Sequence, residues 1–218
     1  MTLKIYGVLR SRATRPVWMA KELAIPYEHV PVFQSYRLPN PDAAAAPLNT
    51  NSPSFRAVNP NGLVPSIDDD GFVLNESFAI TLYLARKHGG PLAPKDLREE
   101  GLMTMWTLWA ATEVEAHALR AMQNSAAVKT RDAAIYDAAV TALKPKFAVL
   151  DMALGENGGF LVGGRFTVAD VNVAEVVRYA QAAPELLADR PNVQAWIAGC
   201  QARPAFTTMM AERNAEPV

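Results

Sequence analysis

The sequence predicts an α/β domain followed by an all-α domain, on three observations. Strand-like and helix-like segments alternate through residue 88, a Gly/Pro-rich stretch follows at GGPLAPKD, and only helical patterns come after it. The expected boundaries are 1–88 for the first domain, 89–96 for the linker and 97–218 for the helical domain.

In the first domain LKIY reads as a strand, the segment from about Arg15 to Leu23 as a helix, and YEHVPV as a second strand, which together open a βαβ unit. Pro16 suits a first helical turn, where its missing N–H costs nothing. Residues 34–58 carry Pro39, Pro41, Pro47 and Pro53 and read as an irregular crossing with at most a short helix. VPSI and FVLN flank Asp68-Asp69-Asp70-Gly71, a cluster that predicts a hairpin because glycine tolerates positive φ. SFAITLYLARKH is apolar at helical spacing, ends in basic residues and stops at Gly89.

In the second domain Asp96 followed by Glu99 starts a long helix expected to reach about Asn124, and a second is expected from about Thr130 to Leu154. Pro145 removes one hydrogen bond from that second helix, which predicts a kink between Thr141 and Pro145. GRFTVADVNVAEVVRYA carries its own nucleus, with Thr167 as N-cap, Asp170 three residues on, and Phe166 and Val171 at the staple positions.

Composition excludes several function classes. With 21 basic and 22 acidic residues there is no cationic excess to track phosphates, so nucleic acid is not an expected partner. No stretch approaches the roughly 20 apolar residues of a membrane span, and the start lacks the apolar core of a signal peptide, which predicts a cytoplasmic protein without membrane association. A single cysteine, Cys200, rules out an intrachain disulfide. His29, His88 and His117 make no short metal-ligand spacing, so no metal is expected, and no phosphate-binding or nucleophile-elbow motif is present.

The chemistry concentrates in NPNGLVPSI and LNESFAITLYL. If the Val64-Pro65 bond is cis, the turn leaves the valine N–H and C=O unpaired and facing outward, where an extended peptide can pair with them. Glu76 and Ser77 stand at a helix start, where free N–H groups and the dipole favour an anion beside the glutamate's negative charge. Such a pair suits a zwitterion. The V-P turn, the DDG hairpin, E-S at a helix start and the following A-I-x-x-Y-L resemble the cytosolic glutathione transferases, as do FTVADV and NVQAWIAGCQARPAF in the helical half. The resemblance covers most of the chain. It implies a thioredoxin-like first domain with a mixed sheet, an all-α second domain, glutathione as cosubstrate, and a homodimer. In that family the valine backbone pairs with the cysteinyl part of glutathione, the acid takes the γ-glutamyl ammonium and the serine takes the γ-glutamyl carboxylate. These roles fall on Val64 with Pro65, Glu76 and Ser77.

Lowering a thiol pKa from about 8.5 by two units requires about 2.7 kcal/mol of preferential thiolate stabilisation. One hydrogen bond to a charged sulfur, about 1.5 to 3 kcal/mol, and one helix dipole suffice. Ser11, between the first strand and first helix, matches the catalytic serine of the serine-type members in YGVLRSRATR. Thr14 and Tyr6 are rival hydroxyls, and the cysteine-type members are excluded because the first domain has no cysteine. For the glycine carboxylate the candidates are Arg37, Gln34 and Arg56 in the irregular crossing.

On the first long helix Met105, Trp106, Trp109, Glu113 and His117 recur at three- and four-residue spacing. The resemblance turns this stripe toward a pocket for a small hydrophobic electrophile, with Trp106, Trp109 and Glu113 as lining. The expected activity is transfer of the glutathione thiol to that electrophile, as in detoxification. Glutathione-dependent isomerases, dehalogenases and peroxidases share the first step, and a noncatalytic binding module of the same fold is the rival from another class.

Overall fold

The computed structural model describes residues 3–216. Contacts divide the chain into two units, one of residues 3–88 with 204–216 and one of residues 89–203.

In the first unit β1 (Leu3–Tyr6), α1 (Thr14–Glu22) and β2 (Tyr27–Val30) form the βαβ start, with β1 and β2 parallel and Leu3 opposite Tyr27. β3 (Ser66–Asp69) and β4 (Phe72–Asn75) follow α2 (Pro53–Val58), and α3 (Ser77–His88) completes the run. The sheet order is β2-β1-β3-β4, with β3 antiparallel to both neighbours, so the sheet is mixed. The hairpin forms where the sequence predicts it: Asp70 (φ 52°) and Gly71 (φ 90°) are its two central residues, and Asp68 accepts the Gly71 N–H at 2.7 Å. Two positive φ values match the twist of the flanking strands. Pleat alternation puts Ile5, opposite Ile67, in the core and turns Tyr6 to the other face, where its ring meets Phe55 of α2 at 6.1 Å.

The last helix, α9 (Pro204–Ala215), packs on α1 and belongs to this first unit, although the sequence reading grouped it with the helical domain. Phe206 meets Trp18 edge-on at 4.9 Å and Glu212 pairs with Lys21 at 2.7 Å. An amphipathic pattern fixes which face of a helix is buried, not which neighbour buries it.

The second unit is helical. α4 (Leu97–Trp109) starts at Asp96, whose side chain accepts the Glu99 N–H at 2.9 Å. A π-turn (Ala110–Val114) joins it to α5 (Glu115–Gln123). α6 (Ala133–Glu156) runs without interruption through Pro145; that proline and Thr141, the residue whose carbonyl it cannot bond, are both exposed. α7 (Val168–Ala180) is nearly all buried, and α8 (Pro191–Gln201) packs beside α6 and α7. Asp170 accepts from the Thr167 N–H and hydroxyl, the Leu161 N–H and the Trp196 indole. Burial pushes its carboxyl up while those bonds hold it down, with burial the larger effect. No helix among the described residues is long and apolar enough to cross a membrane.

The 89–96 stretch is pinned at one point. Arg165 donates to both Glu99 carboxylate oxygens, at 2.8 and 2.6 Å, and to the carbonyls of Pro91 and Ala93. The guanidinium holds the half-buried Glu99 carboxyl down to about 2, from an ordinary 4.5. Its stabilising contribution is therefore complete above the unfolded-state value and is lost as pH falls from about 4.5 to about 2. Urea midpoints measured across that window should fall in the native chain and fall less steeply in Arg165→Met.

Candidate functional site

Val64 and Pro65 are joined by a cis peptide bond immediately before β3. Among the described residues neither the N–H nor the C=O of Val64 joins a backbone hydrogen bond, so both are open to an added peptide. Asn59, buried beneath the turn, donates to Leu63 C=O at 2.8 Å and to Ser66 Oγ at 3.1 Å, one contact on each side of Val64-Pro65. Gly7, with φ 130°, lies where β1 leaves the sheet: a Cβ there would stand 3.0 Å from Val64 Cβ and 3.1 Å from Ala13 Cβ. The absence of a side chain lets the Val64 turn, the end of β1 and the approach to α1 meet.

Glu76 takes a left-handed conformation (φ 68°), uncommon for a residue with a side chain, and its carbonyl accepts the Ile80 N–H at 2.9 Å. It is exposed, and Ser77 beside it is buried at the start of α3. Behind Ser77 stands Arg15, which is 1% exposed. Arg15 Nη1 donates to Ser77 Oγ at 2.9 Å, and its guanidinium lies over the Phe78 ring at 4.1 Å. The serine oxygen thus accepts from a cation, which leaves its own proton for an acceptor in front of it, the arrangement a carboxylate needs.

Ser11 is half-buried in the turn ahead of α1. Its hydroxyl donates to Val8 C=O at 2.6 Å and its oxygen accepts the Ala13 N–H at 3.0 Å. Thr14 is fully buried and donates to the Ser11 C=O at 3.3 Å, which spends it on the turn. Tyr6 points to the α2 face; burial pushes its hydroxyl up, with Asp68 adding to the effect. The Ser11 oxygen is held by the N–H of Ala13, the residue that Gly7 approaches.

Two sequence models match: residues 11–87 fit Glutathione S-transferase, N-terminal domain, and residues 133–199 fit Glutathione S-transferase, C-terminal domain. Glutathione S-transferase F13 of Arabidopsis thaliana is 34% identical over 169 residues, which cover 71% of this chain and 74% of that protein. The chain belongs to the glutathione S-transferase family. The theta class glutathione S-transferase of Xanthomonas axonopodis pv. citri, solved with glutathione bound, is 28% identical with a TM-score of 0.79, covering 94% of this chain and 95% of that one. Glutathione S-transferase I from mais, in complex with an atrazine glutathione conjugate, is 26% identical with a TM-score of 0.82 and covers 99% of each chain.

Within this glutathione S-transferase family member the glycine-carboxylate candidates are dispersed. Arg37 is exposed and its guanidinium lies 5.7 Å from the Tyr36 ring. Arg56 is exposed on α2 and donates to Pro60 C=O at 3.4 Å. Gln34 Oε1 is buried without a hydrogen-bond partner among the described residues. In the helical unit the predicted stripe does not persist, because the π-turn inserts a residue and rotates everything beyond it by about 100°. Trp106 is buried, with the half-buried Trp109 edge-on to it at 5.1 Å, whereas Met105 and Glu113 are exposed and Glu113 pairs with Lys146 of α6. Two cavities bear on where an apolar ligand sits. One of about 330 Å³ in the helical unit is walled by Phe160, Phe166, Trp196 and Cys200 and shares no residue with the predicted site. The other, about 350 Å³, is lined by Val8, His29, Pro31, Phe33 and Glu216, beside the Ser11 turn.

The contacts of Gly7 with Val64, of Arg15 with Ser77 and of Asn59 with the Val64-Pro65 turn were not read from the sequence. Gly7 follows a strand and Arg15 opens a helix, weak signals in themselves; their roles depend on Val64 and Ser77, which are distant in sequence. Gly7→Ala places a side chain in a left-handed backbone and against two neighbours, each costing about 1–3 kcal/mol. Urea unfolding should show a loss of at least about 2 kcal/mol together with weaker glutathione binding; an unaltered midpoint would contradict the close approach.

Proposed function

We propose that this chain is a glutathione transferase that binds glutathione along Val64 and at Glu76-Ser77, activates its thiol with Ser11, and transfers the sulfur to a small hydrophobic electrophile. The observation that carries the reading is the unpaired Val64 backbone beside a serine backed by a buried guanidinium. One offers strand pairing to an extended peptide and the other a carboxylate site, as a γ-glutamyl tripeptide requires. Glu76 supplies the negative charge for the ammonium. The glutathione-bound Xanthomonas relative and the conjugate-bound mais relative support the same cosubstrate.

Activation needs little movement. The Ala13 N–H holds Ser11 Oγ, so rotation about the Cβ–Oγ axis carries the hydroxyl proton from Val8 C=O toward a sulfur. One charge-assisted bond of about 1.5 to 3 kcal/mol lowers the thiol pKa by about one to two units. The thiolate then attacks the electrophile's carbon, the C–S bond forms, and the leaving group departs with its electron pair. The cavity of Val8, Pro31 and Phe33 suits the apolar body of that electrophile. In the helical unit the half-buried Trp109 packs edge-on to Trp106, while Glu113 is engaged with Lys146. A homodimer and a cytoplasmic setting complete the reading by family analogy.

Retention of the purified chain on immobilised glutathione, followed by thiol consumption with a panel of electrophiles, tests this directly. Ser11→Ala should lower kcat about 10- to 150-fold while glutathione binding changes by less than about two-fold. Unchanged turnover would move the role to another hydroxyl, and retention without turnover in the native chain would favour the noncatalytic binding module.

A further inference from the structure

The turn that carries Ser11 is gripped by the far end of the chain. Leu9 N–H donates to Glu216 Oε1 at 2.8 Å and Arg10 N–H donates to Glu216 Oε2 at 3.1 Å, so one carboxylate takes two consecutive backbone amides. Arg10 closes the contact from its side, with Nε and Nη2 each 3.4 Å from the Glu216 carbonyl and Nη2 3.5 Å from that of Asn214. Among the described residues no backbone carbonyl is available to these amides: the parallel ladder ends at Val8 N–H on Val32 C=O, and the next turn bond is Arg15 N–H on Arg12 C=O. Glu216 itself has a firm base, because it follows α9, which Trp18–Phe206 and Lys21–Glu212 fasten to α1.

The grip falls at a particular place. Ser11 donates to the carbonyl of Val8, and the two residues between that acceptor and Ser11 are Leu9 and Arg10. Fixing both of their amides therefore fixes the distance and direction between the serine hydroxyl and the carbonyl it must leave. Resting on the transferase reading above, we infer that Glu216 is a positioning residue for Ser11: it holds the turn in the one conformation that presents the hydroxyl to the glutathione sulfur. Hydrogen bonds from amides to a carboxylate are the stronger, charge-assisted kind, and losing them releases two N–H groups to water and the turn to other conformations.

The carboxylate has two effects of opposite sign on the thiol. As a clamp it sharpens the hydroxyl's placement and favours the thiolate; as a negative charge it opposes one. Arg10 stands against the tail carbonyl, His29 lines the same cavity wall, and the Lys21–Glu212 pair lies one turn back on α9. With the carboxylate shared between two amides and Arg10 set against the adjoining backbone carbonyl, the clamp is the larger effect.

The test uses the full chain, Glu216→Ala and Glu216→Gln. Two quantities are read: the pH dependence of kcat and kcat/KM for glutathione with an activated aryl chloride, and hydrogen exchange at the Leu9 and Arg10 amides. In Glu216→Ala the acid-limb pKa should rise by about 0.5 to 1 unit, kcat at neutral pH should fall about three- to ten-fold, and KM for glutathione should stay within about two-fold. Exchange at both amides should quicken about ten-fold or more, and Glu216→Gln, which keeps an acceptor, should lie between the two. An unchanged or lowered pKa would overturn the inference, since the tail would then be a tether or a plain negative charge. Unchanged exchange would overturn it as well. A native chain with no thiol turnover, whose Leu9 and Arg10 amides nonetheless exchange faster in Glu216→Ala, would retire the transferase reading and leave the clamp standing.

Discussion

The close approach at Gly7 is the constraint on which the geometry of the candidate site depends. Three segments far apart in sequence meet there: the end of β1, the Val64 turn and the approach to α1. Each has one task. The β1 end delivers the chain to Ser11, the Val64 turn presents an unpaired N–H and C=O, and the residues around Ala13 fix the serine oxygen. A side chain at position 7 would sit in a left-handed backbone and force the last two apart by a few tenths of an ångström, a shift that a well-packed interior resists.

Electrostatics then give the site its polarity. Arg15 is buried, and a buried cation is costly unless it is well partnered. The Ser77 hydroxyl and the Phe78 ring face it, and an anion accepted by Ser77 would lie one hydroxyl away from the charge. Glu76, exposed and in a left-handed conformation, places the opposite charge beside it. A molecule carrying an ammonium and a carboxylate on one carbon matches both at once, and the unpaired edge at Val64 suits the peptide that such a head group begins.

Much of this was legible in the sequence where the signal is local. The Asp70-Gly71 hairpin, the Thr167–Asp170 capping box and the Asp96 start of α4 are short-range features, and each formed as its residues dictate. Val64-Pro65 and Glu76-Ser77 were legible as motifs. Long-range partners were not: nothing near Arg15 signals Ser77, nothing near Leu9 signals Glu216, and α9's apolar face does not declare that it belongs on α1. The π-turn at 110–114 was invisible for a different reason. Periodicity assumes a uniform helix, so one inserted residue separated Glu113 from the tryptophans that spacing had aligned it with.

A structure with glutathione bound tests the central claim most directly. The account predicts an extended tripeptide whose cysteinyl residue pairs with the Val64 N–H and C=O, whose γ-glutamyl carboxylate accepts from Ser77, and whose sulfur faces the Ser11 hydroxyl. Glutathione bound with the Val64 backbone unpaired and Ser77 uncontacted, or seated in the cavity of the helical unit, would contradict it.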